Sequence, residues 1–112
     1  MPNEPFSEYQ LNLINTTYGL DVVKQELPEW KTATNHVVIL QDKQGMKYVA
    51  KMWGNGYPQE IIKSRLRIMD FIYDHGILTP KLLKNLVGTK LTKSNGNNYT
   101  LTTFIPGRKI KS

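Results

Sequence analysis

The stretch Gly45-Met-Lys-Tyr-Val-Ala-Lys-Met-Trp53, GMKYVAKMW, decides the fold. Its alternation predicts a strand with Met46, Tyr48, Ala50 and Met52 on one face and Lys47, Val49, Lys51 and Trp53 on the other. Just upstream, ATNHVVILQ (residues 33–41) reads as another strand. Between them Asp42-Lys43-Gln44-Gly45 has the residues of a tight loop, with Gly45 free to take positive φ. Residues 33–53 are therefore expected to form a β-hairpin. Lys51 is its anomaly, because an apolar residue between Val49 and Trp53 would avoid the cost of holding a cation beside a core.

Upstream of the hairpin, Phe6-Ser7-Glu8-Tyr9-Gln10-Leu11 reads as a helix start. Ser7 is the N-cap, Gln10 closes a capping box, Phe6 is placed to staple against Leu11, and Gly19 ends the helix near Tyr18. LDVVKQEL (20–27) is a short strand, followed by the breakers Pro28-Glu29-Trp30-Lys31. Downstream, Gly54-Asn55-Gly56 is a loop and Pro58 sits where a first helical turn tolerates proline. Ile62, Leu66, Met69 and Tyr73 then recur at helical spacing, with Ile61, Ile68 and Ile72 widening the stripe, so a helix is expected over 58–75. His75-Gly76 stops it, Lys81-Leu82-Leu83-Lys84 reads as extended, and Asn95-Gly96 turns into NYTLTTFI (98–105), a threonine- and aromatic-rich strand closed by Pro106-Gly107. The expected class is α+β, one domain over 1–112: an antiparallel sheet of about five strands with an N-terminal helix and one packed helix, the helices on one side.

Length and composition narrow the function. At 112 residues the chain holds one modest core. Hydrophobic residues at 39% and charged residues at 21% are ordinary for a globular domain. With no cysteine there is no disulfide framework and no thiolate metal site, and with no long apolar run or signal-peptide order at the N-terminus the expected location is cytoplasmic. The net charge of +6 favours anionic partners in general. Lysines occur throughout, and the local concentrations are Lys63, Arg65 and Arg67 on the second helix and Arg108, Lys109 and Lys111 at the end. A duplex-binding protein would concentrate its basic residues on one element.

No self-contained catalytic motif is present. There is no P-loop, and Gly54-x-Gly56 lacks the third glycine of a dinucleotide fingerprint. His36 and His75 are far apart with no cysteine to join them, so no metal site is expected. No serine lies in a nucleophile elbow. On its residues alone Lys51 has two readings: its ammonium snorkels to solvent from a half-exposed strand, or it meets an anion on its face.

The ordered set YGL (18–20), a short strand, TATNHVVIL (32–40), GMKYVAKMW, a helix ending DFIYDHGI (70–77), Thr79-Pro80 and YTLTTFIPG (99–107) resembles the N-terminal lobe of the aminoglycoside phosphotransferase, choline kinase and homoserine kinase group. The resemblance spans residues 9–110 and extends, more distantly, to protein kinases. It implies a sheet that roofs a nucleotide cleft. Lys51 would meet the α- and β-phosphates of ATP, Val49 would lie toward the adenine, and Asn35 and His36 would follow a phosphate-covering lid at 29–34. Thr103, Phe104 and Ile105 would be the hinge, meeting the adenine edge through their backbone.

It also implies Mg held by a C-terminal lobe that this chain lacks, since neither His36-Val37-Val38 nor His75-Gly76-Ile77 opens a His-x-Asp catalytic loop. The expected function is thus the ATP-binding lobe of a small-molecule phosphotransferase, a fragment inactive alone that needs the missing lobe in cis or as a partner subunit. Two departures stand out. Arg65 occupies the position where the family commonly has the acid that pairs with the strand lysine, Glu60 being the nearest acid upstream, and the lid segment has Pro28, Trp30 and Lys31 where glycines are common. The alternatives are a basic nucleic-acid-binding module stacking bases on Trp30 or Trp53, and a protein-interaction domain whose open sheet face pairs with a second copy.

Overall fold

The central hairpin of the sheet is set by the turn at residues 42–46. In the computed structural model, which describes residues 4–28, 36–54 and 57–105, Asp42 is 6% exposed and its carboxylate holds that turn. Oδ1 accepts the amide N–H groups of Gln44 (2.9 Å) and Met46 (3.0 Å), and Oδ2 accepts the Tyr48 hydroxyl at 3.1 Å. Burial, with the Asp42 hydrogen bond and charge adding to it, holds the Tyr48 phenol above its ordinary pKa. Gly45 takes φ 87°, a left-handed conformation that a side chain would strain. Asp42→Ala removes a buried carboxylate that accepts three hydrogen bonds. We expect a loss of about 2–3 kcal/mol in urea unfolding, with Asp42→Asn recovering only part of it.

The hairpin pairs β2 (His36–Asp42) with β3 (Lys47–Trp53) in the register Ile39 opposite Val49. The remaining elements are α1 (Glu8–Tyr18), β1 (Val22–Glu26), α2 (Gln59–Asp74), β4 (Thr92–Ser94) and β5 (Asn97–Thr103). The five strands form one antiparallel sheet in the order β1-β2-β3-β5-β4. This is the expected α+β class with its two helices and five strands. β5 pairs with β3 although α2 and β4 lie between them along the chain, which places β3 in the middle of the sheet. One edge is blunted by a bulge between Val22 and Lys24 and the other by the brevity of β4.

The local signals at the helix ends hold. Ser7 and Gln10 form the reciprocal capping box, and Gly19 closes α1 at φ 69°. Asn95 and Gly96, at φ 50° and 78°, make the two-residue loop that pairs Ser94 with Asn97. Tyr9 of α1 ties that loop down, bonding Ser94 at 2.9 Å and accepting from Asn95 at 3.0 Å. The expected extended segment at 81–84 does lie along β5, with Leu82 bridging Thr102, the Leu83 amide donating to Leu101 O and the Thr103 amide donating to Lys81 O, each at 2.9 Å. One strand is added to the expectation, Thr92–Ser94, which pairs with the start of β5. Between the two, Asn85 organises the loop by accepting the amides of Val87 and Thr89 and donating to Thr89 and Thr92.

The helices are not on one side of the sheet. α1 packs on the face of Val38, Leu40, Ala50, Tyr99 and Leu101, through Ile14 and Tyr18, with Phe6 in the same cluster. Burial holds the Tyr18 phenol above its ordinary pKa, and its hydroxyl accepts from Thr92 at 3.1 Å. α2 instead gathers Ile62 and Leu66 around Trp53 and Leu82, on the opposite face at one end of β3. Trp53, 3% exposed, is the residue that makes this second core possible. A narrow stripe suffices for it, so Ile61 and Ile68 of α2 are left 44% and 55% exposed.

Candidate functional site

Residues paired across an antiparallel sheet share a face, so the register defines what surrounds Lys51. Val37, Lys51 and Thr100 form one row, Ile39, Val49 and Thr102 the next, and Trp53 and Asn98 the row toward α2. Glu26 extends the Ile39 row onto β1. The face is therefore aliphatic at its centre, hydroxyl-bearing along β5, and cationic and aromatic where α2 approaches.

Lys51 is half-buried, with its ammonium 4.4 Å from the centroid of the Trp53 ring. The ring is fixed by an indole N–H donated to Thr100 Oγ1 at 3.1 Å and by an edge-to-face contact with Tyr57 at 5.5 Å. Arg65, reaching out of α2, lies over the Tyr57 ring with its guanidinium carbon 5.2 Å from the centroid. The ion pairs among the described residues are Lys47 with Glu26 and Lys90 with Asp70, and neither involves Lys51. Burial lowers the Lys51 pKa, the Tyr57 hydroxyl opposes that shift, and the Arg65 charge adds to it. The cation–π contact with Trp53 contributes about 1–2 kcal/mol toward holding the charge where it is. Glu60 stands at the exposed start of α2 and makes no ion pair with Lys51 among the described residues.

Other expected site residues divide. Val49 lies directly beside Ile39 on the Lys51 face. Thr103 lies on the α1 side, opposite Tyr48, and its amide already donates to Lys81 O at 2.9 Å while its hydroxyl accepts from the Lys81 amide at 2.9 Å. Any hinge contact through an amide N–H in this segment thus falls to Phe104 and Ile105, which follow the end of β5. The Phe104 ring has the Lys47 ammonium 5.4 Å from its centroid. Asn35, the lid at 29–34, Trp30 and the basic tail at 108–111 lie outside the described residues. Among the described residues no group of three or more His, Asp or Glu is placed to hold a metal ion, and no helix is long and apolar enough to cross a membrane.

Burial of Trp53 removes it as a base-stacking platform, although Lys63, Arg65 and Arg67 are exposed on α2. The residues that sequence reading did not assign to the site are Ile39, Thr100, Tyr57 and Trp53 as a cation support. Trp53 stands two positions from Lys51 on the same strand face, a signal the period of β3 carries. Tyr57 lies on no strand, and only its tertiary contacts with Trp53 and Arg65 bring it to the site.

No protein-family model matches the chain, and no curated protein matches its sequence. Solved structures do match its fold. A spectinomycin phosphotransferase in complex with ADP and spectinomycin superposes with a TM-score of 0.72 and 20% identity over 92% of this chain and 31% of that one. An amicoumacin kinase in complex with AMP-PNP, Ca2+ and its antibiotic superposes with a TM-score of 0.73 and 18% identity over 94% of this chain and 33% of that one. The chain spans about a third of the length of these enzymes, matching their N-terminal portion. With its five-stranded antiparallel sheet and α2 packed on Trp53 of β3, this chain has the fold of a kinase-like N-terminal lobe.

Proposed function

We propose that this chain is the nucleotide-binding lobe of an ATP-dependent phosphotransferase acting on a small hydroxyl-bearing acceptor. The observation that carries the reading is Lys51: half-buried, held by an aromatic ring, and given no carboxylate among the described residues, on the same face as Val49 and Ile39. A cation held that way is stabilised by an anionic ligand, and the aliphatic row beside it suits a planar base. In this reading Lys51 takes the α- and β-phosphates and Val49 the adenine face. Phe104 and Ile105 meet the base edge through their backbone, and Asn35 belongs to the phosphate-covering side. When bound, Mg supplies charge neutralisation at the transferring phosphoryl group. Its ligands and the catalytic aspartate come from outside this chain, from a second lobe in cis or a partner subunit, so the chain alone turns nothing over.

The test is a backbone amide NMR titration of the chain with ATP at millimolar concentration. Saturable shifts are expected at Val49, Lys51, Phe104 and Ile105, with no phosphate release above buffer. Shifts that never saturate, or that cluster on the outer side of α1, would sink the proposal. Phosphate release stoichiometric with protein and abolished by Lys51→Ala would instead make the chain catalytic alone.

A further inference from the structure

Arg65 stands where a lysine-pairing acid would be expected, and the structure shows what it does instead. Its charge acts on Lys51. The two cations are carried on adjoining rings, Lys51 over Trp53 and Arg65 over Tyr57, and those rings touch edge to face at 5.5 Å. Trp53 is buried and locked by Thr100, so the arrangement has a rigid base. The outer cation is the exposed Arg65 and the inner one the half-buried Lys51. No carboxylate among the described residues pairs with either of them.

We propose that Lys51 and Arg65 form a two-cation clamp for a polyphosphate, with Arg65 a phosphate ligand in place of the acid that would otherwise neutralise Lys51. Like charges held near one another repel unless an anion lies between them, and a guanidinium offers a planar fork that meets a phosphate with two N–H bonds. The inner ammonium suits the phosphates nearer the base and the outer fork the terminal one. The recognised chemistry is a chain of at least two phosphates, whether carried by a nucleoside or free. The proposal rests on reading Lys51 as a phosphate ligand and does not need the adenine contacts.

The sign of one substitution decides it. If Arg65 only fills the place of a lost acid, Arg65→Glu restores an ion pair that orients Lys51, and binding tightens or stays the same. If Arg65 is a ligand, the same change puts a carboxylate against the phosphates and binding weakens.

Calorimetric titrations of the chain with ATP, AMP and inorganic tripolyphosphate are compared for the wild type, Arg65→Gln and Arg65→Glu, with a thermal melt of each protein. We expect Kd for ATP and for tripolyphosphate to rise roughly tenfold in Arg65→Gln and further in Arg65→Glu, the loss of one charge-assisted contact and then its reversal. AMP binding should move little, and Arg65→Glu should melt no lower than the wild type. Arg65→Glu that binds ATP as tightly as the wild type overturns the clamp and leaves the nucleotide reading standing. Tripolyphosphate that binds as tightly as ATP, and is lost in both variants, keeps the clamp and removes the nucleotide reading. Failure of the wild type to bind either anion overturns both.

Discussion

Lys51→Met is expected to make the protein more stable while removing most of its affinity for phosphate. At neutral pH the folded state holds the Lys51 ammonium half out of water, with Arg65 close enough to add to the penalty. Methionine has nearly the same volume, packs on the same Trp53 ring, and carries no charge to desolvate. A gain of about 1 kcal/mol, or a few degrees in Tm, is the expected size, at the low end for removing a poorly compensated buried charge. Because the Lys51 pKa is lowered on folding, the unfolded chain holds the proton over the interval between the lowered and the ordinary lysine value. Wild-type stability therefore rises with pH across that interval.

The Lys51→Met advantage is consequently full at neutral pH and shrinks as the pH climbs toward the ordinary lysine range. Against this, loss of one charge-assisted phosphate contact weakens nucleotide binding by roughly 10- to 100-fold. Melts at neutral and alkaline pH, alongside ATP titrations, check both halves. A variant less stable than the wild type at neutral pH would show that Lys51 is a structural residue.

Trp53→Ala is expected to be the most damaging single substitution to stability, at about 3–5 kcal/mol in urea unfolding followed by far-ultraviolet circular dichroism. Trp53 is 3% exposed and is the strand residue of the cluster formed with Ile62, Leu66 and Leu82, so its removal leaves a cavity where α2 meets the sheet. It also leaves the Thr100 hydroxyl without its indole donor and Lys51 without its ring. A loss of that size is a large share of the 5–15 kcal/mol available to an ordinary domain. Trp53→Phe keeps the bulk and most of the ring contact, and should lose only about 1–2 kcal/mol with the hydrogen bond. If Trp53→Ala unfolds within 1 kcal/mol of the wild type, α2 is anchored by something other than this cluster.

Both predictions depend on a pair of residues two positions apart on one strand, which is why so much was legible beforehand. GMKYVAKMW sorts its own side chains by period, and nothing in the folded chain moves Lys51 or Trp53 to the other face. Ser7 with Gln10, Gly19, Gly45 and Asn95-Gly96 are equally local, each set by a cap or by a positive φ that few residues tolerate. What failed was non-local. The edge strand Thr92–Ser94 carries too short a pattern to be read alone, and it exists because β5 is there to pair with it. The stripe on α2 was read too wide, since periodicity shows which residues could be buried and not how much surface there is to bury them on. Arg65 shares a stripe with Ile61 and Ile68, yet only the approach of α2 to β3 makes it a neighbour of Tyr57 and an influence on Lys51.

By itself, the sequence determined the hairpin, the helix ends, the α+β class and the face on which Lys51 stands, because each depends on side-chain period or on backbone conformations within a few residues. Only the tertiary structure decided that α1 and α2 take opposite faces, that Trp53 is the floor of a second core, and that Arg65 stands over Tyr57 on the Lys51 side. Those outcomes follow from how the sheet and two helices share limited apolar surface, a competition among segments distant along the chain that no local pattern encodes.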